Sequence, residues 1–142
     1  MDGDEDRGSR RIWLFDRRDY WRERSASTLA AAGFRVEAWG GYAYPPDGTA
    51  PAARPSLVIL GCTQVGASES CLVQQVVAHH HRLVVLASAL SAPVMRALFL
   101  AGAEDVTEMP GRTDQLLELV AARLDPDPEP SGYEGRLHAR AR

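Results

Sequence analysis

Short apolar runs alternate with helix-spaced patterns along most of this chain. The first run, Ile12-Trp13-Leu14-Phe15, is continuous and stops at Asp16, as a central strand buried on both faces would. Asp19 stands where a helix cap belongs. Trp21, Ser25, Thr28, Leu29 and Ala32 then recur at helical spacing, and Gly33 sits where a left-handed C-terminal residue belongs. Residues 34–39 alternate Phe34, Val36 and Ala38 with Arg35 and Glu37, which predicts a half-buried, edge-like strand with the apolar set inward. The following GGYAYPPDGTAPAARP is too rich in Gly and Pro to sustain a helix. A long loop is expected where alternation alone would place one.

Residues 56–61, Ser-Leu-Val-Ile-Leu-Gly, form the clearest buried strand. Ser68 and Glu69 open a helix that runs through Val77, with Cys71, Leu72, Gln75 and Val76 expected on one side. Residues 83–86 read as a buried strand, and Ser91 with Pro93 starts a helix ending at Gly102. A weak final strand spans 103–109, and Thr113-Asp114 opens a last helix with Leu116, Leu117, Val120 and Leu124 as its core stripe. This order argues for a parallel sheet with helices on both faces. Residues 1–10 are expected as a disordered leader, 11–124 as the domain and 125–142 as a disordered Pro- and Arg-rich tail. The Asp-Pro-Asp-Pro-Glu-Pro at 125–130 forces the tail's start into an extended form.

With 142 residues, 45% hydrophobic and 25% charged, the chain has room for one domain with its own core. A net charge of −3 with scattered Arg offers no broad basic face, so direct nucleic-acid binding is not expected. Lys is absent altogether. The two cysteines, Cys62 and Cys71, read as reduced thiols, since they are too few for a disulfide framework or metal cluster. No apolar run approaches the ~18 residues of a membrane span, and the charged N-terminus lacks a signal segment. A cytoplasmic protein with no membrane partner, metal or cofactor is expected.

Three segments carry a family resemblance. RIWLFDRRDYWRERSASTLAAAGFRVEAW resembles the first strand, first helix and second strand of response-regulator receiver domains. RPSLVILG resembles that family's Lys/Arg-Pro-Asp-Leu run into the phosphoacceptor aspartate, and LAGAEDVTEMP its Ala-Gly-Ala-Asp-Asp…Lys-Pro. The resemblance spans residues 11–124 and implies a flavodoxin-like, doubly wound five-stranded parallel sheet of order 2-1-3-4-5. The helix between the second and third strands would be replaced by the loop.

The resemblance also implies a phosphorylation pocket, and the sequence departs from it position by position. Phosphoryl transfer needs an aspartate nucleophile, a carboxylate-held divalent cation, and a Lys plus Ser/Thr on the phosphoryl oxygens. Of the family's set only Asp16 stands. Its acidic neighbour is Arg17, the nucleophile position is Gly61, the hydroxyl position is Ala87, and the Lys position is Met109. Ser88 falls one residue late and, on a strand, therefore faces the other side. Asp16 is expected as a solvated carboxylate at a strand end, with pairing to Arg17 or weak cation binding as alternatives. The implied function is that of a pseudo-receiver: a regulatory, non-enzymatic interaction module.

The helix at 92–102 carries a single charge, Arg96, so its outward positions Val94, Ala97 and Leu100 leave an apolar stripe. Together with Val106, which occupies the position of an aromatic reporter in some receivers, they form the expected interface. A protein partner or a second copy would dock on the 92–124 face; burial under a terminal tail is the alternative. His79, His80 and His81 cannot converge on one ion from consecutive helical positions and read as a solvated helix end. Trp13, Trp21 and Trp39 read as core or core-edge packing, Tyr42 and Tyr44 as surface loop aromatics. The segment Gly61–Gly66 is weak both as a phosphate cradle and as a nucleophile site at Cys62, for it lacks a Gly-rich fingerprint and a nearby base. Two other readings stay open: the detached regulatory half of a transcription regulator, and a small-molecule sensor using the cleft at Asp16, Gly61 and Ser88.

Overall fold

Three strands are apolar at every interior position because both faces of the sheet are covered. The computed structural model describes residues 7–45 and 54–125. Within them run β1 (Arg11–Asp16), α1 (Asp19–Ala31), β2 (Arg35–Trp39), β3 (Leu57–Cys62), α2 (Ala67–Ala78), β4 (Leu83–Ala87), α3 (Ala92–Ala101), β5 (Asp105–Glu108) and α4 (Thr113–Leu124). The strands make one all-parallel sheet in the order β2-β1-β3-β4-β5, the expected topology.

Alternate residues of β1, β3 and β4 feed two cores. Ile12, Leu14, Leu57, Ile59, Val84 and Leu86 meet Leu29 of α1 and Leu116, Val120 and Leu124 of α4. On the opposite face Trp13, Phe15, Val58, Leu60 and Val85 meet Leu72, Val73 and Val76 of α2 and Leu98 of α3. Each such side chain contributes about 1.5–3 kcal/mol by leaving water, so the double coverage dominates stability. Gly33 and Gly102, at φ 105° and 117°, end α1 and α3 in the left-handed conformation that glycine adopts without penalty.

Between β2 and β3 the described residues contain no helix. Tyr42 and Tyr44 cover the Trp13 face instead, Tyr42 buried within that core and Tyr44 packed against it. These two tyrosines are therefore not the free surface aromatics their loop position predicted.

Other expectations need correction. In β2, Ala38 is exposed, whereas Trp39 turns to the Phe15 face and stacks on it with ring centroids 4.8 Å apart. Helix α2 buries Glu69, Leu72, Val73 and Val76. Cys71 and Gln75 lie off that stripe and are exposed, since successive residues turn by about 100°. Asp19 is the first helical residue of α1; the N-cap is Arg18, in extended backbone. Residues 1–6 and 126–142, most of the leader and tail, lie outside the described residues. Arg7, however, is tied to the domain: it grips Asp125 through two hydrogen bonds of 3.1 and 2.6 Å and lies 5.0 Å over the Phe34 ring.

Candidate functional site

Strands β1, β3 and β4 end side by side, with Asp16 in register with Gly61 and Cys62 with Ala87. The carboxyl ends of central parallel strands are where such sheets hold their ligand crevice. Asp16 is fully buried, not solvated as expected. Its partner is Arg18, whose Nε donates to Oδ1 at 2.9 Å and whose Nη2 donates to Oδ2 at 2.7 Å. The Arg18 backbone N–H adds a third bond to Oδ1, at 2.9 Å. A two-pronged, charge-assisted pair of this kind is among the strongest polar contacts a protein makes. Bonding to Asp16 raises the Arg18 pKa above its ordinary value, so the guanidinium stays charged.

This carboxylate also fills the space over Gly61. A Cβ placed on Gly61 would lie 2.3 Å from Asp16 Oδ2 and 3.2 Å from Met109 Cε. Gly61 is not in the left-handed region, so the position demands space rather than backbone freedom.

Arg17 does not pair with Asp16. Its guanidinium lies 5.0 Å over the ring of Tyr42. The Tyr42 hydroxyl donates to the Gly61 carbonyl at 2.7 Å and accepts the Arg17 backbone N–H at 3.2 Å. Arg22 Nη1 donates to the Asp16 carbonyl at 3.0 Å, so the last carbonyl of β1 and the penultimate carbonyl of β3 both accept from side chains. Ser88 lies past the end of β4, where strand parity no longer holds, and its Oγ is 3.5 Å from Arg18 Nη1. Ala87 is buried in the Trp13-side core. The structure thus brings Asp16, Gly61 and Met109 together, sets Arg18, which the sequence reading did not single out, between Asp16 and Ser88, and turns Arg17 outward.

The chemistry available at this site is narrow. The Cys62 thiol is pushed up to about 12, chiefly by burial and then by Glu69, so it carries no thiolate at neutral pH. Glu69 is buried and accepts from the Gly66 N–H at 3.0 Å and from Ser68 Oγ at 3.1 Å. Among the described residues the site does not fit a divalent cation, because both Asp16 oxygens are already held by the Arg18 guanidinium. Among the described residues no group of three or more His, Cys, Asp or Glu side chains is placed to hold a metal. No helix among them is long and apolar enough to cross a membrane.

On α3 the expected interface divides. Ala97 and Leu100 are exposed, Leu100 at 80%, and with Ala92, Pro93 and Arg96 they line a shallow groove of about 390 Å³. Phe99, which sequence reasoning missed, is 45% exposed. Val94 is half-buried against the core and Val106 is buried, so neither presents a free face.

The three histidines are not a solvated helix end throughout. His81 is buried, with Trp13 edge-on at 5.3 Å and Tyr44 Oη 2.8 Å from its Nε2. Arg54 Nη2 lies 3.3 Å from Nδ1; a guanidinium only donates, so the neutral ring accepts there and its Nε2–H donates to the Tyr44 hydroxyl oxygen. Burial first, then Arg54, His79 and His80, lower the His81 pKa from 6.5 to about 4. The unfolded chain therefore binds the extra proton more readily, and stability is lost as pH falls from about 6.5 to 4. Urea unfolding is expected to show a loss of about 2 kcal/mol across that window, which His81→Gln should largely remove. An unaltered pH profile in that variant would refute the assignment. Glu104, held at about 2 chiefly by Arg82 and also by Arg123, loses its contribution only as pH falls from about 4.5 to 2.

No family model matches the sequence, and no curated protein matches it. Solved structures do share its fold. The non-phosphorylated HemR receiver domain from Leptospira biflexa superposes with a TM-score of 0.67 at 17% identity, over 84% of this chain and 98% of that one. A CheY-like receiver domain protein from Methanospirillum hungatei gives 0.66 at 16% identity, over 81% and 93%. The BeF3-activated receiver domain of DrrB, a Thermotoga maritima protein, gives 0.62 at 17% identity, over 79% and 94%. The chain has the receiver fold.

Proposed function

We propose that this chain is a pseudo-receiver: a non-enzymatic signalling module that regulates a protein partner without aspartyl phosphorylation. One observation carries the reading. Where phosphoryl transfer would need a carboxylate on the third strand and a divalent cation beside it, Gly61 offers no nucleophile, and the Arg18 guanidinium already neutralises Asp16. With Met109 in place of a Lys and no Lys elsewhere, the ammonium that would balance phosphoryl charge from the fifth strand is missing. Addition of magnesium and beryllofluoride is expected to leave amide spectra and melting temperature unchanged, under conditions that shift an active receiver. Saturable, magnesium-dependent shifts at Asp16 or Gly61 would overturn the reading.

Output through α3 accounts for its exposed Ala97, Phe99 and Leu100, since a contiguous apolar surface on a small domain marks an interaction site. Homodimerisation through the 92–124 face is the form to test first. Light scattering of the wild type should give twice the monomer mass at high micromolar concentration, and Leu100→Glu should return it to monomer. A wild type that stays monomeric would remove the dimer.

A further inference from the structure

We propose that the cleft between the β1–α1 and β3–α2 loops binds a small organic anion, a carboxylate or phosphate ester, with Arg17 as the receiving cation. The proposal extends the reading above, because it takes the strand-end site as closed to metal.

Of the cations around the cleft, Arg17 stands outside every ion pair among the described residues. Arg18 is consumed by Asp16, and Arg22 pairs with Asp19 at 2.8 Å. Glu69, the carboxylate in the cleft wall, accepts the Gly66 N–H and the Ser68 hydroxyl through Oε1, and lies outside ion-pair distance of Arg17. Among the described residues the Arg17 guanidinium has no carboxylate within ion-pair distance; its contact is the face of Tyr42. That ring is itself fixed, buried and hydrogen-bonded at its hydroxyl to both Gly61 and the Arg17 backbone. A cation laid on an immobilised aromatic face keeps its N–H donors available and gives up less side-chain freedom on binding than a free surface arginine.

The space beside it suits a small ligand. The cleft measures about 490 Å³, within the range of small-molecule sites, and its far wall brings Thr63 and Gln64. Both side chains are exposed and polar, able to bond the uncharged part of an anion whose head meets the planar guanidinium fork.

Titration at constant ionic strength, followed by amide spectra, tests this with inorganic phosphate and with citrate as the two probes. The expected result is saturable binding of at least one probe, with shifts confined to residues around 17, 42 and 63–66. Arg17→Gln should weaken it at least tenfold. Arg17 is exposed and outside the Asp16–Arg18 pair, so this variant should fold normally, which its melting temperature checks. Saturation by phosphate alone assigns a phosphate ester, and by citrate alone a carboxylate. No saturation with either probe, or equal binding by Arg17→Gln, would overturn the proposal. Neither result touches the pseudo-receiver reading, which falls only to magnesium-dependent beryllofluoride binding.

Discussion

Replacing Gly61 with aspartate is expected to lower the melting temperature by roughly 10–20 °C and still to leave the protein unlabelled by acetyl phosphate. The substitution restores the residue type that phosphoryl transfer requires, yet the local geometry opposes it. The new Cβ would sit 2.3 Å from Asp16 Oδ2, inside any tolerable contact, and Met109 Cε closes the other side at 3.2 Å. Relief requires Asp16 to swing away, which breaks its bonds to Arg18 in a fully buried position. Breaking a buried pair costs about 3–5 kcal/mol, and a second carboxylate beside the first adds like-charge repulsion. Gly61→Ala separates the two effects, since it brings the same Cβ without the charge and should be destabilised less. Normal stability together with acetyl-phosphate labelling of Gly61→Asp would show that the pocket merely lacks its nucleophile.

Most of the architecture was legible because a sheet covered on both faces leaves a strong signal. Ile12–Phe15 and Leu57–Leu60 have no polar interruption, and Gly33 and Gly102 mark helix ends through a backbone requirement written in the residue itself. Side-chain direction after an element ends was not legible. Ser88 was assigned by strand parity, but β4 stops at Ala87 and the parity rule stops with it. Tyr42 and Tyr44 sit among Gly and Pro residues that argue only against a helix, and nothing local tells that they cross the sheet and cover Trp13. Arg17 and Arg18 are adjacent and chemically identical. Which one reaches Asp16 is set by the turn into α1, where the extended N-cap at Arg18 brings its backbone N–H and guanidinium back together.

That choice has an energetic consequence. Arg18→Met should destabilise the fold by about 3 kcal/mol, the discount from a fully buried pair reflecting the partial exposure of Arg18. Methionine keeps much of the apolar stem, so the loss isolates the charge. The damage arises less from the missing bonds than from what remains: a carboxylate over Gly61 with no counter-charge and no access to water. Removing that carboxylate should then help, so Asp16→Asn, destabilising in the wild type, is expected to recover at least 1 kcal/mol in the Arg18→Met background. Denaturant unfolding of the four proteins in this cycle gives the coupling directly. Additive losses would mean that Arg18 and Asp16 contribute independently.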